Sequence, residues 1–155
     1  MASIRSGIGE NMEDRYLFKA KRIDNGEWVI GNLITNVFFR LGQSIPYILC
    51  SDKAEYDCFE DFTEGNGIFE VRPDTICRCT GSKDKNGKLI WENDIVGYYD
   101  KYVGKWCYGL VGYGEFNCSC CNGVYGWHFG DEDIREYKGY EVKGNKFDNP
   151  ELLEA

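Results

Sequence analysis

The sequence has no long hydrophobic run and no apolar segment near its start. No stretch approaches the roughly 20 apolar residues that span a bilayer, and residues 1 to 30 lack the apolar core of a secretory signal. Eight cysteines in 155 residues are too few for a secreted scaffold held by disulfides, so the thiols should be reduced. We therefore expect a cytoplasmic protein without membrane contact.

Positive charge and recognisable catalytic motifs are also scarce. The chain has 18 basic and 26 acidic residues, for a net charge of −8. This balance disfavours general binding to nucleic acid, which depends on Lys and Arg displacing counterions, although a local basic patch remains an alternative. No Walker loop, GxSxG or HExxH motif is present, so the residues indicate no enzyme and no cofactor.

Aromatic residues are abundant, at 15% of the chain, and there are 19 glycines but only three prolines. Aromatic and β-branched residues separated by glycine every few positions, as between Asp94 and Phe129, predict short, bent strands. We expect a mostly β fold with little helix. An N-terminal β lobe over residues 12–80 should pack with a barrel-like lobe over residues 81–155, after a disordered leader or expression remnant at residues 1–11.

Local patterns place the first turns. "YLFKAKRI" and "WVIGNLI" flank Asn25-Gly26 and predict a β-hairpin. "VFFRLGQSIPYIL", residues 37–49, predicts two more short strands broken at Gly42 and Pro46. Residues 51–67 predict an acidic loop or one short helix, and the acids from Asp131 predict the start of a single helical turn.

Five cysteines could in principle supply the ligands of a zinc site, since zinc takes four thiolate or imidazole ligands. They are Cys77, Cys79, Cys118, Cys120 and Cys121. Structural zinc knuckles usually leave two residues between ligands, whereas Cys77-x-Cys79 and Cys118-x-Cys120 each leave one. We favour buried or half-buried free thiols and no metal.

His128 and the acidic residues near position 131 each allow two interpretations, one as a catalytic or metal-binding group and one as a structural group. His128 could act as a base beside a cysteine, but its aromatic surroundings in "YGWHFGD" favour a structural histidine. The acidic side chains near residue 131 could bind a hard cation, yet they lack the EF-hand spacing, and helix capping explains them more simply. These are Asp131, Glu132, Asp133 and Glu136.

The four tryptophans are the candidate interaction surface. Trp28, Trp91, Trp106 and Trp127 could form an exposed platform that stacks on a partner. The simpler interpretation is that they pack in the core or against neighbouring strands.

The segment "TGSKDKNGKLIWENDIV", residues 80–96, is either a reactive loop or a structural corner. Asn86-Gly87 suits a hairpin turn, with Lys83 and Lys85 exposed beside it. Asp94 precedes Ile95-Val96 and should accept backbone N–H groups near Trp91 to Asn93. We interpret the segment as a structural turn that leads into a strand.

The same segment resembles the stretch "YTGLKDKNGKEIYEGDIV" of the YopX family of phage and prophage proteins. The opening "YLFKAKRIDNGEWVIGNLI" resembles the N-terminal hairpin of that family, and "VKGNKFDNPELL" resembles its closing "IGNIYENPELL". Cys77, Cys79 and Asn93 depart from the family pattern, which argues against a shared metal site. The resemblance implies a mostly β fold with a barrel-like C-terminal lobe and a phage-derived protein in a bacterial cytoplasm, and it implies no particular activity.

Three functions remain open at this stage. The first is a non-enzymatic module that binds a host or phage protein or assembles with itself. The second is nucleic-acid binding by clustered lysines beside exposed aromatic rings. The lysines concerned are Lys83, Lys85, Lys88, Lys101 and Lys105. The third is a small metal- or thiol-dependent enzyme, which would need His128 near a cysteine or the acidic run.

Overall fold

A computed structural model describes residues 12–50, 67–118, 121–135 and 139–154. The mostly β expectation is confirmed: the described residues form two antiparallel sheets. Helical residues there occur only in three short 3₁₀ turns, Met12–Tyr16, Pro73–Thr75 and Pro150–Leu153. None of the helical segments in this part of the chain is long and apolar enough to cross a membrane. The expected leader and the acidic segment at 51–66 lie outside the described residues.

The first sheet has six strands in the order β4-β3-β2-β1-β5-β6. Their bounds are β1 Phe18–Lys21, β2 Trp28–Arg40, β3 Gln43–Leu49, β4 Ile68–Glu70, β5 Cys77–Lys83 and β6 Leu89–Trp91. The hairpin at Asn25-Gly26 is confirmed, because β1 and β2 pair antiparallel from Lys21↔Trp28 onward. Gly26 has a φ of 72°, a conformation that suits glycine.

The second sheet has five strands in the order β10-β9-β8-β7-β11. Their bounds are β7 Asp94–Asp100, β8 Lys105–Cys118, β9 Cys121–Phe129, β10 Glu132–Asp133 and β11 Glu141–Asn145. The acids that were expected to begin a helical turn therefore form strand β10 instead, since Glu132 and Asp133 pair with Phe129 and His128.

The expected barrel-like lobe is corrected to an open sheet. Its edge strands, β10 and β11, do not pair with each other among the described residues. The outer edge of β11 is covered instead by the turn after β5. Asp84 accepts the Val142 N–H at 2.9 Å, and the Lys85 N–H donates to the Tyr140 carbonyl at 3.2 Å. Because this turn already forms hydrogen bonds with backbone groups along the outer edge of β11, that edge does not need to pair with β10.

The change from the first sheet to the second falls between Trp91, the last residue of β6, and Asp94, the first residue of β7. The register pairs Cys79 with Trp91 and Lys83 with Leu89. The hairpin that contains Asn86-Gly87 therefore belongs entirely to the first sheet.

The two sheets share buried side chains. One buried cluster in the second sheet includes Val96, Val111 and Phe129, and Ile90 from β6 packs into it. The first sheet has its own cluster around Val29 and Ile48. Since Ile90 belongs to the first sheet, its burial in the second cluster fastens the two sheets together.

Candidate functional site

Asp94 lies at the corner between the sheets and is buried. Its carboxylate accepts the Trp91 N–H at 2.9 Å, one of the groups named from the sequence, and pairs with the Lys19 ammonium at 3.1 Å. Burial raises the pKa of Asp94 above the usual value, and the nearby Lys19 opposes this shift. Asn93 occupies the left-handed region with a φ of 68°. This geometry explains how asparagine can replace glycine at the corner.

Asp84 is a structural residue that the sequence analysis missed. Its Oδ1 atom accepts the N–H groups of Asn86 and Lys88, both at 2.9 Å, and its Oδ2 atom accepts the Val142 N–H. Gly87 has a φ of 80°. The signal was present as "DKNG", because an aspartate that opens a turn commonly accepts backbone N–H groups two residues on. No local sequence pattern indicates the contact between Asp84 and Val142 of β11.

The four tryptophans do not form one platform. Trp91 is buried with Cys77 and Cys79, whereas Trp28 is half-buried and donates from its indole to Asp148 at 2.8 Å. Trp106 is exposed, with the Lys143 ammonium 4.2 Å from its ring centroid. Trp127 packs edge-on to Tyr113 elsewhere on the second sheet. Trp91 is therefore withdrawn from the surface, and the other three tryptophans are exposed or half-buried at separate places.

The cysteine and histidine candidates do not assemble a reactive site in the described part. Cys77, Cys79 and Cys107 are free thiols, and burial raises the pKa of Cys77 and of Cys79. His128 Nδ1 lies 2.8 Å from the Gly130 carbonyl, and its ring stacks on Phe116. A raised thiol pKa makes a weaker nucleophile at neutral pH.

The candidate metal ligands are likewise not brought together among the described residues. Among the described residues, no group of three His, Cys, Asp or Glu side chains could hold a metal ion. Asp133 instead pairs with Arg135, at 2.7 Å for one oxygen and 3.1 Å for the other. The side chains of Cys118 and Cys121, and the whole of Cys120 and Glu136, lie outside the described part.

The lysines proposed for nucleic-acid binding are interspersed with acids. Lys85 lies 3.7 Å from Glu141, which also pairs with Lys143. Lys101 and Lys105 flank the β7–β8 turn, where Asp100 accepts the backbone N–H groups of Tyr102 and Val103. This mixture of charges is the arrangement that favours the interaction module over a phosphate-binding surface.

The clearest candidate surface is the end of the β2–β3 hairpin, residues 35–44, which we call the arm. β1 pairs with β2 only at residues 28–31, and β4 pairs with β3 only at residues 47–49. Within the described part of the chain, the arm therefore has strand pairing only between its own two strands. An isolated two-stranded hairpin is marginally stable in water.

The tip of the arm is apolar and strained. Leu41 has a φ of 50° and is followed by Gly42 with a φ of 79°. The Leu41 side chain is 99% exposed, and Val37 and Phe39 are exposed beside it. Among the described residues, the other two non-glycine residues with positive φ are asparagines, Asn36 and Asn93. A leucine in this conformation costs about 1 to 2 kcal/mol and buries nothing within the monomer.

In the described part of the chain, one edge of the arm has backbone groups without a strand partner. Arg40 and Gln43 flank the two-residue turn, and the next pair is Phe39 with Ser44. In a two-residue hairpin the closing pair is hydrogen-bonded, so the backbone N–H and C=O of Phe39 point away from β3. The arm thus combines an open edge with exposed apolar side chains, the features through which strands add to one another.

A second surface feature is a cleft of about 450 Å³ between the sheets, which we call the inter-sheet cleft. Arginine and aromatic side chains dominate its lining. They are Arg15, Arg78, Arg135, Tyr113, Tyr125 and Trp127. Sequence reasoning named only Trp127 among them, because the three arginines come from segments far apart in the chain.

Comparison with known proteins gives a family but no activity. The chain is similar to a crystal structure of protein EF1440 from Enterococcus faecalis, with 25% identity, a TM-score of 0.43, and coverage of 88% of this chain and 96% of that chain. No curated protein matches it. The YopX protein family model matches residues 17–154. This match spans nearly the whole chain, which therefore belongs to the YopX family.

Proposed function

We propose that this protein is a non-enzymatic interaction module of phage origin that assembles with itself through the arm, in the cytoplasm of a bacterial host. The observation that supports this proposal is Leu41, held at positive φ and 99% exposed at the tip. Association would relieve the exposure of this apolar side chain, whereas the backbone strain is the same in the monomer and in the dimer. Burial against a partner would recover roughly 1.5 to 3 kcal/mol for a leucine.

A second copy of this chain suits the arm. Two identical open edges can pair antiparallel about a twofold axis, so the Phe39 edge is complementary to itself. Residues 35–44 contain one charged side chain, Arg40, in a chain of net charge −8. The arm therefore carries little of the charge that would repel a second copy.

Sedimentation velocity at concentrations from about 1 to 100 μM tests the proposal. The wild type should form dimers over this range. Phe39→Pro removes the outward N–H without affecting a β2–β3 hydrogen bond, and it should be monomeric. Phe39→Thr keeps that N–H and should retain more association. Leu41→Asn should also weaken association, because it removes the apolar tip while tolerating the positive φ.

The matched control is Val103→Asn, which removes an exposed apolar side chain from the β7–β8 turn. It should leave the dimer unchanged. A wild type that stays monomeric throughout, or a dimer that survives Phe39→Pro and Leu41→Asn, would refute self-assembly through the arm. Affinity capture from host cells with the wild type and Leu41→Asn in parallel would then identify any other protein that requires the tip.

A further inference from the structure

The inter-sheet cleft gathers arginine side chains in an acidic chain, two of them paired with carboxylates: Arg78 with Glu92 and Arg135 with Asp133. Three of its seven arginines line the cleft, although the net charge is −8. Among the described residues, Arg78 makes one ion pair, with Glu92 at 2.8 Å. A guanidinium has five N–H donors in a planar fork, so this single pair does not exhaust the capacity of Arg78. The cleft therefore has a donor suited to an anion such as phosphate.

Flat, exposed rings stand beside that donor. Tyr113 is 53% and Tyr125 is 66% exposed, and these side chains line the cleft with Trp127. The Arg78 guanidinium lies 4.9 Å from the Trp127 ring centroid and 5.3 Å from that of Tyr113. Tyr113 and Trp127 meet edge to face, 5.1 Å apart. Rings held in this way offer stacking surfaces to a planar ligand.

We propose that the inter-sheet cleft binds a nucleotide, with the base stacked on Tyr125 and Tyr113 and the phosphate bound by Arg78. A volume of about 450 Å³ falls within the range of small-ligand sites. The net charge of −8 disfavours a long polyanion along the surface. The ligand is therefore one nucleotide, either free or at the end of a single strand. This site is separate from the arm and does not depend on self-assembly.

Quenching of tryptophan fluorescence and calorimetry test this assignment with four probes. They are adenosine and guanosine 5′-monophosphates, the corresponding nucleosides, inorganic phosphate, and a short single-stranded oligonucleotide with a 5′-phosphate. The monophosphates should bind saturably and more tightly than nucleoside or phosphate alone. Tighter binding of the oligonucleotide assigns the strand end as the source of the nucleotide, and tighter binding of the monophosphates assigns the free ligand.

Variants separate the two halves of the site. Arg78→Gln should weaken nucleotide binding about tenfold and leave nucleoside binding unchanged, since it removes the charge-assisted contact. Tyr125→Leu should weaken both ligands. Tyr102→Leu, an exposed tyrosine in the β7–β8 turn, is the matched control and should change neither. Thermal melting checks that each variant is folded.

Three results would overturn the proposal. One is the absence of saturable nucleotide binding up to about 5 mM. Another is phosphate that binds as tightly as the nucleotides, which would make the cleft an anion site without base recognition. The third is a folded Arg78→Gln variant with unchanged nucleotide affinity.

Discussion

Replacing Asp94 with alanine should be strongly destabilising. The carboxylate side chain is 3% exposed and its partner, Lys19, is 12% exposed. Removing one partner of a buried ion pair costs about 3 to 5 kcal/mol, because the remaining charge is left without compensation. The Lys19 ammonium keeps favourable contacts with the Trp28 and Trp91 rings, at 4.8 and 5.4 Å. We therefore expect Asp94→Ala to lower the free energy of unfolding by about 3 kcal/mol.

A double variant separates the ion pair from the backbone contact. Lys19→Met with Asp94→Ala removes both charges, and only the Trp91 N–H at 2.9 Å loses its acceptor. That loss costs about 1 to 3 kcal/mol, so the double variant should be more stable than Asp94→Ala alone. Lys83→Ala, at the exposed end of β5 beside the turn, should stay within about 0.5 kcal/mol. Urea unfolding measures all three, and a folded Asp94→Ala protein within 0.5 kcal/mol of the wild type would refute the reasoning.

The pKa of Asp94 gives the same prediction a pH dependence. Burial raises its pKa in the folded protein, with Lys19 opposing. A carboxyl group with a raised pKa binds its proton more tightly in the folded than in the unfolded state, so its contribution to stability is largest below the usual value near 4. This pH-dependent part is lost as pH rises through the folded pKa, whereas the contacts with the Trp91 N–H and Lys19 remain. The stability of the wild type relative to Asp94→Asn should therefore fall from pH 4 upward, and a flat difference would contradict the assignment.

Three further perturbations follow from single contacts. Asp84→Ala should cost about 3 kcal/mol in urea unfolding, because three backbone N–H groups at 2.9 Å lose their acceptor. Gly31→Ala should cost more than about 3 kcal/mol, since its Cβ would lie 1.9 Å from a carbonyl oxygen of β3. Gly112→Ala, with open space around it, should instead stabilise the fold by about 0.5 kcal/mol, because alanine loses less backbone entropy than glycine in a strand. A hydrogen bond from Lys21 is the main reason that the pKa of Asp148 falls to about 2, so its contribution should be present above pH 4 and lost as pH falls to 2. This effect should be under about 1 kcal/mol because the side chain is 38% exposed, and Asp148→Asn should abolish it.

Local turn chemistry made part of the fold predictable. The hairpin at Asn25-Gly26 and the turn at Asn86-Gly87 follow from residues that favour those conformations wherever they occur. Closure of a barrel is different, because it depends on which strand edges meet. Here the carboxylate of Asp84 reaches Val142 across 58 positions in the chain, a contact that no local pattern indicates.

The candidate sites were also only partly predictable from the sequence. Sequence patterns placed a strand from Val37 but not the continuous β2 from Trp28 to Arg40, because the polar Thr35-Asn36 interrupts the apolar alternation. In the structure, Asn36 takes a φ of 60° where the register shifts between Ile34 and Phe38, and the strand continues through it. The inter-sheet cleft was missed altogether, since only the packing of the two sheets brings its arginines together.

At the tip of the arm, replacing Leu41 should have opposite effects on the stability of the monomer and on self-assembly. A turn with two successive positive φ angles favours asparagine before glycine. The other two non-glycine residues with positive φ among the described residues are both asparagines. Leu41→Asn should therefore raise the free energy of unfolding of the monomer by about 0.5 to 1 kcal/mol while it weakens self-assembly. If residue 41 were selected only for the stability of the monomer, the substitution would not stabilise the monomer while it weakens self-assembly. If the substitution destabilised the monomer instead, Leu41 would have a role within the fold, and its exposure would no longer support an interaction surface.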